Sequence, residues 1–117
     1  MKKLLVIEDD PDTLTIIRFL FEDKGFNVSE SQNKVPIELI IKNNPNLILL
    51  DHVLPDGFGK EICKEIKANP HTSHIPVILF STVTGLEKLA NEGSADAYIE
   101  KPFDINDLEK MVMKMTL

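Results

Sequence analysis

Short apolar runs alternate along this chain with longer stretches in which apolar residues recur every three or four positions. Residues 4–7, 47–50, 77–80 and 97–99, with a weaker run at 26–28, are of the first kind, and their length predicts strands. Residues 13–24, 37–42, 60–68, 85–91 and 105–115 are of the second kind and predict helices. The last of these shows the reasoning most clearly. Asp104 stands where an N-cap belongs, and Ile105, Leu108, Met111, Val112 and Met115 fall on one helical face. Gly25, Asn43-Asn44-Pro45 and Asn69-Pro70 each punctuate the end of a helix before a strand.

The runs at 47–50 and 77–80 are apolar at every position, so both of their faces must be covered. That predicts an α/β fold, a doubly wound parallel sheet of five strands with five helices on its two sides. The 117 residues suit one domain, 1–117, and no linker, repeat or low-complexity tract divides them. Nineteen acidic against thirteen basic residues give a net charge of −6, the wrong sign for nucleic acid or an anionic membrane surface. Cys63 is the only cysteine, which excludes an internal disulfide and fits a reducing cytoplasm. The apolar run after Lys2-Lys3 ends at once in Glu8-Asp9-Asp10 and is no export signal, and no run approaches the roughly 20 residues of a membrane span. The expectation is a cytoplasmic protein.

In sheets of this kind the ligand site lies beyond the carboxyl ends of the strands. The predicted ends carry Glu8-Asp9-Asp10 after the first strand, Asp51 after the third, Ser81-Thr82 after the fourth and Lys101-Pro102 after the fifth. Carboxylates gathered there repel one another, a divalent cation relieves the repulsion, and an all-oxygen set favours Mg²⁺. A lysine ammonium and a small hydroxyl on the same rim suit a phosphoryl group. Asp51, ending the most buried strand, is the candidate nucleophile.

These residues also carry a resemblance. Glu8-Asp9 after LLVI, LILLD ending in Asp51, Leu54-Pro55-Asp56-Gly57, PVILFS ending in Ser81, and AYIEKPF with Tyr98, Lys101 and Pro102 follow one another in order and at compatible spacing. From end to end the sequence resembles the receiver domain of bacterial two-component response regulators, and the single-domain, chemotaxis-regulator-like form in particular. The resemblance implies a flavodoxin-like sheet in the order 2-1-3-4-5. It implies a signalling module and not a turnover enzyme, catalysing only its own phosphorylation and dephosphorylation. Asp51 would take a phosphoryl group from the phosphohistidine of a sensor histidine kinase or phosphotransfer protein. Asp9 and Asp51 would ligate Mg²⁺ directly, the Val53 backbone carbonyl would be a third ligand, and Glu8 would act at longer reach. Lys101, in a cis Lys101-Pro102 peptide, would hold one phosphoryl oxygen and Ser81 another, while Tyr98 would be the switch aromatic, packing inward as Ser81 turns. The rearranged surface of fourth helix, fifth strand and fifth helix would bind a downstream protein. One domain without an effector implies a stand-alone regulator or phosphorelay intermediate, a monomer or weak dimer.

The sequence departs from that pattern at several positions. Val53 and Val83 stand where the family tunes hydrolysis of the acyl phosphate, and neither can hydrogen-bond a water, so a slowly decaying phosphoryl state is expected. Thr82 is bulkier than usual beside the pocket, which predicts slower phosphorylation by small donors. The segment from Ser81 to Lys101 is shorter than usual, which predicts a clipped fourth helix or loop. Ser94 for glycine and Asn46 for aspartate read as surface drift. His52 points away from Asp51 as a strand neighbour, His71 and His74 read as a solvated turn, and Cys63 reads as core. Ile16, Ile17, Phe19, Leu20 and Phe21 read as core, with a partner surface as the lesser alternative for part of the stripe. Other functions compete. Asp10-Pro11-Asp12-Thr13 matches the Asp-x-Asp-x-Thr signature of haloacid-dehalogenase-type phosphatases, with Asp10 and Asp12 as the working pair. A flavin-binding domain shares the sheet order, but three acids in its first loop would repel the cofactor phosphate. A degenerate receiver would act as an interaction module alone.

Overall fold

The structure is a computed structural model and describes residues 1–117. Strand β1 (Lys3–Ile7) leads into helix α1 (Pro11–Asp23), then β2 (Asn27–Ser31), α2 (Ile37–Asn43) and β3 (Leu47–Asp51). A small hairpin of β4 (Val53–Leu54) and β5 (Gly57–Phe58) precedes α3 (Gly59–Ala68), β6 (Val77–Ser81), α4 (Leu86–Gly93), β7 (Ala97–Glu100) and α5 (Ile105–Met115). The main sheet has the order β2-β1-β3-β6-β7 with every pair parallel, so the expected five-stranded 2-1-3-4-5 arrangement is present.

Alternation along the central strands builds two cores. Ile48 and Leu50 of β3 face a cluster with Ile40 of α2, Ile62, Cys63 and Ile66 of α3, and Leu86 and Ala90 of α4. Leu47 and Leu49 face the other side, against Leu14, Ile17 and Phe21 of α1 and Leu108 and Val112 of α5. All five residues of β3 and of β6 are buried, as strands covered on both faces require. Burying one such leucine stabilises the fold by about 1.5–3 kcal/mol, which fixes the register of the whole sheet and so the position of its carboxyl rim.

The structure corrects several expectations. The second strand starts at Asn27 and reaches Ser31, further than its apolar residues, because it is an edge strand with one buried side chain, Val28. Helix α4 covers Leu86–Gly93. Ile16 and Phe19 are not core: they are 52% and 71% exposed, on the side of α1 turned away from Ile17 and Phe21. Nor are Ser94 and Asn46 idle substitutions. Ser94 caps α4 in the left-handed region (φ 62°), a conformation that favours glycine. Asn46 Oδ1 accepts the Lys3 backbone N–H at 2.7 Å and ties the start of β1 to that of β3.

Candidate functional site

Each acid at the rim is delivered by the end of a buried strand. Glu8 follows β1 and its N–H donates to the Ser31 carbonyl at 3.0 Å, extending the β1–β2 ladder by one residue. Asp51 is the last residue of β3, and Ser81 is the last of β6. Lys101 follows β7, its N–H donating to the Ser81 carbonyl at 2.9 Å, and the Lys101–Pro102 peptide is cis. Glu8 is fully buried, Asp51 and Ser81 are buried, and Asp9 is exposed at the mouth.

Carboxylate oxygens of Glu8, Asp9 and Asp51 lie within 4.8 Å of one another. Lys101 Nζ forms an ion pair with Glu8 Oε1, stands 3.5 Å from Asp51 Oδ2 and lies 4.6 Å above the Phe80 ring. Burial pushes the Glu8 carboxyl up from 4.5 to about 8; the Asp51 and Asp9 carboxyls add to that, and the Lys101 ammonium opposes it. Three acids thus share one cation. The donor set is all oxygen and in excess of its countercharge, which is what a hard divalent cation requires.

Asp10 stands outside this cluster. It is the N-cap of α1, accepting the Asp12 and Thr13 N–H groups and the Thr13 hydroxyl at 2.6 Å. Its part in a phosphatase signature is therefore taken by capping. Ser81 Oγ accepts the Val83 N–H at 3.3 Å, and Val83 packs on the core facing α3 and α4. Tyr98 is half-buried against that core and its hydroxyl donates to Glu87 Oε2 of α4 at 3.1 Å. Val53 is half exposed on the hairpin, and Thr82 is exposed. His52 is buried and turned to α3, while His71 and His74 lie exposed in their turn.

Sequence reasoning missed Glu87, Phe80 as the floor under Lys101, and Gly59. A Cβ on Gly59 would fall 2.3 Å from the Asp51 carbonyl oxygen, so only glycine allows α3 to start against the end of β3. The glycine itself was the readable signal; nothing in the spacing marks Glu87. The most voluminous surface groove, 760 Å³, is elsewhere, between β7 and α5, lined by Ala97, Ile99, Met111, Met115 and the lysines Lys110 and Lys114.

Comparison with known proteins accords with this geometry. The chain is 36% identical over 89% of its length to histidine kinase P4 of Formosa agariphila, of which it spans 8%. It is 35% identical over 98% of its length to the response regulator ArlR of Staphylococcus saprophyticus, spanning 52% of that protein. With the polar-differentiation response regulator DivK of Brucella anthropi it shares 31% identity over 89% of its own length and 87% of DivK. Thus the chain covers a small part or about half of the first two and most of the third. Among solved structures, a response regulator of Chloroflexus aurantiacus superposes with a TM-score of 0.91 at 23% identity, covering 98% of this chain and 97% of that one. The receiver domain of the sensor histidine kinase PA1611 of Pseudomonas aeruginosa, solved with magnesium in its active-site cleft, gives 0.88 at 21% identity, covering 98% and 97%. The model of the response regulator receiver domain matches residues 4–113. With its sheet order, its acid cluster and that match over nearly the whole sequence, the chain belongs to the response regulator receiver family, the phosphoacceptor signalling modules of two-component systems.

Proposed function

We propose that residues 1–117 form one receiver unit that accepts a phosphoryl group on a carboxylate oxygen of Asp51. The observation that carries this is the convergence of Glu8, Asp9, Asp51 and the Lys101 ammonium on one rim. In the reaction an Asp51 oxygen attacks phosphorus in the phosphohistidine of a kinase or phosphotransfer protein. The O–P bond forms as the N–P bond breaks, and the imidazole leaves with the electron pair. Lys101 holds a phosphoryl oxygen, and Ser81 exchanges its contact with the Val83 N–H for another. Asp9 and Asp51, the Val53 carbonyl and, at longer reach, Glu8 would hold Mg²⁺. When bound, that ion neutralises charge on the acids and on the phosphoryl oxygens.

The output follows from Ser81 and Tyr98. Phosphorylation favours the state in which Ser81 has a phosphoryl oxygen to bind, and Tyr98 leaves Glu87 to pack inward behind it. The surface of α4, β7 and α5 then changes for a downstream protein. Intact mass after incubation with Mg²⁺ and acetyl phosphate, or a phosphorylated kinase, tests the reading. A Mg²⁺-dependent gain of one phosphoryl group, lost in Asp51→Asn, is the expected result. No gain from either donor by folded protein would leave only an interaction module.

A further inference from the structure

Two backbone donors at the start of α3 end on the same residue. The Gly59 N–H donates to the His52 carbonyl at 2.6 Å, and the Lys60 N–H donates to His52 Nδ1 at 3.2 Å. The first N–H groups of a helix have no acceptor within it, and the N-cap side chain ordinarily supplies one. Here the N-cap is Phe58, extended at φ −111° and ψ 136°, whose side chain has no acceptor. The His52 ring takes over that role from outside the helix. It is held in place by burial and by the Phe58 ring, whose centroid is 5.5 Å away at a 31° tilt. An Nδ1 acceptor fixes the tautomer, with the proton on Nε2.

The contact lies against the acceptor residue itself. Gly59 presses on the Asp51 carbonyl so closely that no side chain fits between them. Beyond it, Lys60 forms the seam with α4: its carbonyl would be 2.9 Å from a Cβ on Gly93, and its Nζ is 3.5 Å from Glu92. Anything that loosens the first turn of α3 therefore loosens the end of β3.

We propose that His52 is a positioning residue, which through Nδ1 clamps the first turn of α3 onto the end of β3 and so fixes the Asp51 carboxylate opposite Lys101. The clamp stands on the hydrogen bonds alone; its effect on the reaction rests on the phosphoacceptor reading. His52→Asn places an amide oxygen near the Nδ1 position, His52→Gln places one near Nε2, and His52→Leu fills the space without an acceptor. Two quantities are measured for each: amide exchange of Lys60, and the kinetics of phosphorylation by acetyl phosphate with Mg²⁺.

In the Leu and Gln variants Lys60 exchange accelerates about tenfold. Their limiting rate of self-phosphorylation falls about tenfold while the half-saturating concentration of acetyl phosphate holds, because His52 does not meet the donor. The Asn variant keeps both near the wild-type values. Adding Phe58→Asp to His52→Leu restores Lys60 protection from the ordinary N-cap position, and this pair serves if the single Leu variant does not fold. Equal Lys60 protection in all variants overturns the clamp, as does rescue by Gln and not by Asn. A raised half-saturating concentration with the limiting rate unchanged overturns the positioning role. If the wild-type protein takes up no phosphoryl group, the proposed function fails, and Lys60 exchange still decides whether His52 holds the helix.

Discussion

Lys67 and Lys101 occupy opposite ends of the same sheet, and their side chains are similarly enclosed, 15% and 17% exposed. At the amino-terminal ends of the strands, Lys67 Nζ donates to the Ile75 carbonyl at 2.6 Å and the Ser73 carbonyl at 3.3 Å, and pairs with Asp96 Oδ2 at 2.6 Å. An ammonium has three protons, and here three acceptors meet them, one of them charged. Asp96 Oδ2 is used again by the Val77 N–H at 2.8 Å. At the carboxyl ends one ammonium meets Glu8 and Asp51, and Asp9 adds a third carboxylate beside them. The first cluster is balanced and complete, so it serves the fold. The second holds negative charge that its own residues leave uncompensated, which a hard divalent cation would relieve.

The largest expected effect separates the two ends by chemistry. Asp51→Asn abolishes the Mg²⁺-dependent mass gain and, by removing one of several like charges, leaves the urea midpoint unchanged or higher. Lys67→Met does the reverse. It lowers stability by about 2 kcal/mol in urea unfolding, the partly exposed Asp96 keeping the loss below that of a fully buried pair, and leaves phosphorylation per folded molecule intact. A stable Lys67→Met protein would contradict the structural role of Lys67, as would one that folds but takes no phosphoryl group.

Glu8 titrates near 8 in the folded chain against 4.5 ordinarily, so between those values the native state keeps a proton that the unfolded state has lost. The contribution of Glu8 to stability is therefore full below about 4.5 and is lost as pH rises through about 8. Cation binding competes with that proton. Mg²⁺ affinity, measured by calorimetry, should weaken by up to about tenfold per pH unit below that value, and Glu8→Gln should flatten the dependence. A pH-independent affinity in the wild-type protein would remove the uncompensated acid from the account. Smallest is the lifetime of the phosphoryl state. Val53→Asn with Val83→Glu, which supply groups able to hold a water, should speed phosphate loss about tenfold, and an unchanged rate would exclude these two positions as its control.

The sheet and its rim were legible because burial on both faces leaves an unambiguous mark: LILLD and VILFS admit no polar residue until the strand ends. Strand β2 was only half legible, since an edge strand needs one apolar face and Asn27, Ser29 and Glu30 carry no such mark. Periodicity placed Phe19 and Ile16 in the core because it counts apolar residues without knowing how wide a stripe the sheet covers. In the site, Asp51, Glu8, Asp9 and Lys101 could be named from strand ends and resemblance. The Glu87 contact of Tyr98 could not, because it depends on where α4 settles over β7. His52 was correctly turned away from Asp51 by strand alternation, yet its work as a cap was hidden; the missing acceptor at Phe58 was the clue.

Lys101 meets Asp51 across 50 positions of sequence and Glu8 across 93. During synthesis, a nascent chain carries Asp51 long before the lysine has left the ribosome, and the two come together only when β7 has docked on β6. On the proposed phosphoacceptor reading, reactivity toward a phosphodonor is then a proofreading property. Chains that are unfinished, nicked before Lys101 or misregistered at that strand pair would carry the aspartate without that chemistry, and would drop out of the signal without any separate surveillance.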